Sequence, residues 1–122
     1  MKFEKLIIDV RVKDLERAVK FYQDVLELSL IHKDIDWVSF ETMGSEIHLY
    51  LHGGVEYGFE FRVSNLEESI ANLKNKGVRF YTEQWPNLLK ISGETMEFSW
   101  GRASIFKDSE GNRLTLVEDI KP

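Results

Sequence analysis

IIDVRVKDLERAV (7–19) and GFEFRVSNLEESI (58–70) are two versions of one stretch, and the rest of the chain is read from them. At an offset of 51 residues, Asp9 falls on Glu60, Arg11 on Arg62, Val12 on Val63, Leu15 on Leu66, Glu16 on Glu67 and Val19 on Ile70. The closing segments repeat as well. GSEIHLY (44–50) lies on GNRLTLV (111–117) at an offset of 67, which sets His48 against Thr115. The second copy therefore carries 67 − 51 = 16 additional residues. A unit this small does not bury a core alone, so two copies are expected to bury their apolar faces together, with a groove between them.

Composition bounds the alternatives. The chain has 122 residues, enough for one domain, and its 43% hydrophobic and 30% charged residues fit a soluble globular protein. A net charge of −5 with no basic cluster gives a nucleic acid backbone no electrostatic attraction. No cysteine is present, which removes disulfides, thiolate metal sites and a thiol nucleophile together. The first residues carry no apolar signal core and no segment approaches a membrane span, so the cytoplasm is the expected location.

Each copy reads as strand, helix and three strands. Residues 3–12 are strand-like, with Ile8, Val10 and Val12 on one face. Asp14 is the expected N-cap of a helix whose stripe is Leu15, Ala18, Val19, Tyr22, Val25 and Leu26. Strands follow at 29–34, 37–42 and 46–52, and Gly53-Gly54 joins a first module of about 1–54 to a second of about 55–122. The second module begins with strand 57–63, its Phe59, Phe61 and Val63 on one face. Ser64-Asn65-Leu66-Glu67 has the form of a capping box, and the helix buries Leu66, Ile70 and Leu73 and stops at Gly77. Strands at 78–82, 101–107 and 112–118 complete the module. The stretch 83–100 (EQWPNLLKISGETMEFSW) either covers a site with Trp85 and Trp100 or forms a hairpin that packs Leu88, Leu89 and Ile91 on the core or on a dimer mate. The expected class is α+β: two tandem βαβββ modules forming an open, curved mixed sheet around a groove, helices on its outer face.

VKDLERAVKFYQDVLEL (12–28) and FKDSEGNRLTLVE (106–118) resemble two motifs of the vicinal-oxygen-chelate superfamily, which holds lactoylglutathione lyases, extradiol dioxygenases and bleomycin- and fosfomycin-resistance proteins. The resemblance covers nearly the whole chain. Glu27 stands where that family usually has Gly after the first helix, and Ser109 where it has Pro in the last turn. The resemblance implies paired βαβββ modules, a cavity and a homodimer. It also implies four metal-ligand positions, which match Ile7, His48, Gly58 and Thr115 here. Isoleucine offers no donor, glycine no side chain and threonine only a weak one, so no metal site and no cofactor is expected; the alternative is a divalent ion such as Zn, Ni or Fe.

Strand alternation assigns the groove wall without the family. With 8, 10 and 12 under the first helix, Asp9 and Arg11 face the other way, as do Glu60 and Arg62 in the second copy. His48 and Tyr50 share the side opposite Ile47 and Leu49, Thr115 follows them, and Trp37 joins from the strand that buries Val38 and Phe40. With Trp100 these are the candidate ligand-binding residues; none is assigned a catalytic role. The charges have two readings: Asp9–Arg62 and Glu60–Arg11 ion pairs, or a polar floor for an amphipathic ligand. His48 is a satisfied pocket histidine, a ligand contact or acid–base group, or a ligand of a shifted metal site with Asp9 and Glu60. His32 and His52 are expected to be exposed. The leading functional reading is a metal-independent protein that binds a small cationic or aromatic molecule. The alternative is a lactoylglutathione lyase-like or dioxygenase-like enzyme with a non-standard metal site or His48/Glu60 acid–base chemistry. A third is a structural subunit whose groove is filled by its own 83–100.

Overall fold

The computed structural model describes residues 2, 4–52 and 59–120; the expected join at Gly53-Gly54 and the ligand position Gly58 lie outside them. The chain falls into two compact units, Met1–Tyr57 with Asp108–Asn112, and Gly58–Lys107 with Arg113–Pro122.

The first unit runs β1 (Ile7–Arg11), α1 (Leu15–Lys20), β2 (Ser29–Lys33), β3 (Trp37–Thr42) and β4 (Ser45–Tyr50). Its sheet order is β1-β4-β3-β2, with β1 parallel to β4 and the other pairs antiparallel. Asp14 caps α1, its side chain accepting from the Arg17 N–H at 3.0 Å. The helix then widens into a π-helical turn at Phe21–Val25. That turn leaves Val25 and Leu26 half-buried, while Leu15, Ala18, Val19 and Tyr22 are buried as the stripe requires. They pack with Val10, Val38, Phe40, Ile47 and Leu49, and the Tyr22 ring stacks on Phe40 at 5.9 Å.

Asp108–Asn112 groups with this unit because its carboxylates meet α1. Tyr22 donates to Asp108 at 2.8 Å, and Glu110 accepts from the Lys13 and Asp14 N–H groups at 2.8 and 2.7 Å. The Asp14 N–H, at the N-cap, is a donor that the helix cannot satisfy internally.

The second unit runs β5 (Phe59–Arg62), α2 (Leu66–Lys74), β6 (Lys90–Ser92), β7 (Thr95–Phe98), β8 (Gly101–Lys107) and β9 (Arg113–Asp119). Its order, β5-β9-β8-β7-β6, repeats the first sheet and adds β6 at the edge. β5 is parallel to β9, as β1 is to β4. The duplication is therefore real at the level of strand order, and the 16 additional residues fall between α2 and β7.

Two local expectations are corrected, and one open alternative is decided. The cap of α2 is Asn65, accepting from the Glu68 N–H at 3.1 Å, and not Ser64; Glu67 is drawn instead to Arg102. No strand forms at 78–82, where a single bridge joins Tyr81 to Ile105. The stretch 83–100 is a hairpin, β6 and β7, preceded by a segment that folds onto its own sheet. Helix α2 does end as expected: Val78 N–H reaches Leu73 O at 3.1 Å and Gly77 N–H reaches Lys74 O at 3.0 Å, with Gly77 at φ +91°.

Candidate functional site

In the first unit the alternation of β1, β3 and β4 sends apolar side chains under α1 and leaves a polar, aromatic face opposite. The register sets Asp9 beside His48 and His48 beside Ser39, and Arg11 beside Tyr50 and Tyr50 beside Trp37. Asp9, Arg11, Trp37, His48 and Tyr50 therefore share one face by register. Trp37 is central: its ring lies 5.2 Å from that of His48 and stacks at 5.9 Å on Tyr50. It also stacks on His32 at 4.5 Å, so His32, expected only to be exposed, belongs to this face. The signal available was positional, since His32 pairs with Ser39, which pairs with His48.

Both nitrogens of His48 are engaged. Nε2 lies 2.8 Å from Glu46 Oε1 and Nδ1 lies 3.1 Å from the Tyr50 hydroxyl. An ionised Glu46 only accepts, so Nε2–H donates to it. Asp9 Oδ1 stands farther off, at 3.9 Å from Nδ1. The hydrogen bond from His48, followed by that from Lys5, holds the Glu46 carboxyl below its ordinary range. Burial, and then the charge of Asp9, push the Tyr50 hydroxyl above its own. Glu46 was missed in the sequence, although it stands two residues before His48 and so on the same face.

The second unit differs from the first. The face of β7, β8 and β9 away from α2 is an apolar cluster of Met96, Phe98, Ala103, Ile105 and Val117, with Tyr81, Trp85 and Leu88 packed against it. The open polar wall expected of this copy is covered by its own additional segment, and Thr115 is buried. What stays open is a cleft of about 280 Å³ lined by Phe59, Glu60, Trp85, Arg113 and Thr115. Trp85 is fixed there: its indole N–H donates to Glu83 at 2.8 Å and the Arg113 guanidinium sits 5.2 Å from its ring centre. Arg113 also pairs with Glu83.

Arg62 pairs with Asp119 of its own unit at 3.0 Å, because strand β9 brings that carboxylate alongside. Among the described residues Glu60 has no ion-pair partner. Trp100 is exposed and stacks on Phe98 at 5.1 Å; it does not line the cleft that holds Glu60 and Thr115.

The metal positions implied by the resemblance do not fit a metal ion. Ile7 is an exposed aliphatic side chain on β1, Thr115 is a buried threonine on β9, and the one imidazole, His48, has both nitrogens in use. Among the described residues no group of three or more His, Asp or Glu side chains is arranged to hold one.

A sequence model of one family, described as Glyoxalase/Bleomycin resistance protein/Dioxygenase superfamily, matches residues 6–116. Among solved structures, a lactoylglutathione lyase from Agrobacterium tumefaciens is similar with a TM-score of 0.73 and 19% identity over 93% of this chain and 91% of that one. The antibiotic binding protein TnmS3 from Streptomyces sp. CB03234 gives 0.72 and 20% over 98% and 99%. The oxidase ChaP-H2 gives 0.73 and 19% over 100% and 96%. At these identities the likeness is one of fold. No curated protein sequence matches the chain.

Proposed function

The chain belongs to the glyoxalase/bleomycin resistance protein/dioxygenase superfamily, and from that premise we propose that it binds a small molecule without the help of a metal ion. The observation that carries the reading is the state of His48, whose two ring nitrogens are taken by Glu46 and Tyr50. A divalent ion at that imidazole would have to displace one of these partners and would gain no donor from Ile7 and only a weak one from Thr115. What the first unit offers instead is a flat surface: Trp37, with His32 and Tyr50 stacked on it. Flat rings pack on such surfaces with little loss of side-chain freedom.

Equilibrium dialysis of the metal-free chain against Zn(II), Ni(II) and Fe(II) tests the reading, together with a fragment screen followed by the shift of the Trp37 indole signal. The expected result is no stoichiometric metal uptake and saturable binding of ring-bearing fragments. One equivalent of metal held by the native chain and released by His48→Ala would sink the proposal.

A second reading has its own observation. The 2.8 Å contact of His48 with Glu46 is a carboxylate-oriented imidazole, the arrangement of a general base. The proposal then becomes an enzyme of the superfamily using acid–base chemistry, with Glu46 in the role the sequence gave to Glu60. It predicts turnover of an α-keto thiohemiacetal that His48→Ala abolishes. A homodimer in the cytoplasm is part of either reading. The dimer is supported by the exposed edge strands β2 and β6, whose unpaired backbone groups invite pairing. No helix of the described residues is long and apolar enough to cross a membrane.

A further inference from the structure

The cleft in the second unit has a chemistry of its own. It is lined by Phe59 and Trp85, and its polar groups are Glu60, Arg113 and Thr115. The register places Glu60 directly beside Thr115 across the parallel pair β5–β9, so both side chains rise from neighbouring strands on the same side. The three polar groups are not equivalent. Arg113 is committed, paired with Glu83 and laid against Trp85. Glu83 is committed in turn, accepting from the Trp85 indole at 2.8 Å as well as from Arg113. Among the described residues neither the Glu60 carboxylate nor the Thr115 hydroxyl has a hydrogen-bond or ion-pair partner. Once Arg113 and Glu83 are counted against each other, the cleft keeps one uncompensated negative charge, with a hydroxyl beside it. Both can accept a hydrogen bond, and the charged one accepts best from a cation.

Size limits the guest. At about 280 Å³ the cleft is a little under the usual range of drug-sized pockets, roughly 300–1,000 Å³. It is nearly twice the roughly 150 Å³ that encloses a benzene ring. One ring with a short arm fills it.

We infer that this cleft takes a small organic cation, a primary ammonium or amidinium carried on a single ring, with the cationic head on Glu60 and Thr115 and the ring beside Trp85. The inference rests on the small-molecule reading above and names the chemical class that the second unit selects. Trp85 comes from the additional segment that the first copy lacks, so the selectivity belongs to this half alone. Glu60 is at once exposed and unmatched, so it is available to a guest and dispensable to the fold.

Titration of the full ¹⁵N-labelled chain with three probes of one shape tests this: 2-phenylethylammonium, 2-phenylethanol and 3-phenylpropionate. The readout is the Trp85 indole signal, assigned by its loss in Trp85→Phe. The expected result is a saturable shift with the ammonium, about tenfold tighter than with the alcohol, and none with the carboxylate, as charge-assisted hydrogen bonding requires. Glu60→Gln is expected to remove that tenfold preference and to leave the alcohol unchanged. Equal binding of the ammonium by Glu60→Gln, or a preference for the carboxylate, overturns the inference. A shift confined to the Trp37 indole overturns it and leaves the broader reading intact. No saturable shift anywhere also overturns it, and the broader reading then falls only if the fragment screen is blank as well.

Discussion

Glu110 Oε2 lies 2.7 Å from Arg17 Nε, a contact between residues 93 positions apart in the chain. The same carboxylate takes the Lys13 and Asp14 N–H groups at the start of α1. One buried side chain therefore ties the turn before the last strand to the first helix. Burial alone would raise its pKa, but Arg17 and the two backbone donors outweigh that and hold it at about 2.

Glu110→Gln is expected to lower stability at pH 7 by about 1.5–3 kcal/mol, the range for hydrogen bonds to a charged group. The pKa is depressed from 4.5 to about 2, so the contribution is complete above pH about 4.5 and drains away as the pH falls toward 2. Urea midpoints of the native chain and the variant are therefore expected to differ at pH 7 and to converge near pH 2. Curves that stay parallel down to pH 2 would refute the assignment.

Asn65, not Ser64, satisfies the start of α2. Asn65→Ala is expected to cost about 1 kcal/mol, and Ser64→Ala less than about 0.5 kcal/mol. Thermal unfolding of the two variants decides it, and a larger loss in Ser64→Ala would restore the capping box.

Glu27 sits at φ +59°, left-handed backbone that costs a non-glycine residue roughly 1–2 kcal/mol. It stands where the resembled motif has glycine, a residue free of that strain. Glu27→Gly is expected to stabilise the chain by about 0.5–1 kcal/mol, part of the gain being offset by glycine's greater freedom when unfolded. A fall in urea midpoint would show that the Glu27 side chain contributes more than the backbone strain costs.

Tyr50→Phe removes the hydroxyl that meets His48 Nδ1 and leaves Glu46 in place. The variant is expected to lose about 0.5–1.5 kcal/mol of stability, the net worth of one hydrogen bond. Urea midpoints of the native chain and the variant at pH 7 check it. An unchanged midpoint would mean that the Tyr50 hydroxyl contributes nothing to the face.

The βαβββ succession of the first copy, both helices and the polar face of β1, β3 and β4 were legible in the residues because period-two and helical alternation are local properties. Even the correction at Asn65 was within reach: Asp14 plus the offset of 51 is Asn65, and both side chains accept from the N–H three residues on. The tertiary structure alone decided that His48 bonds to Glu46, that Asp119 takes Arg62, and that residues 81–88 cover the second sheet. It also decided that Asp108–Asn112 packs with the first unit. Apart from the His48–Glu46 contact, which lies within one strand, those outcomes depend on which side chains meet across strands, or across dozens of residues of chain. A hydrogen bond between carboxylate and donor has no period for the sequence to display.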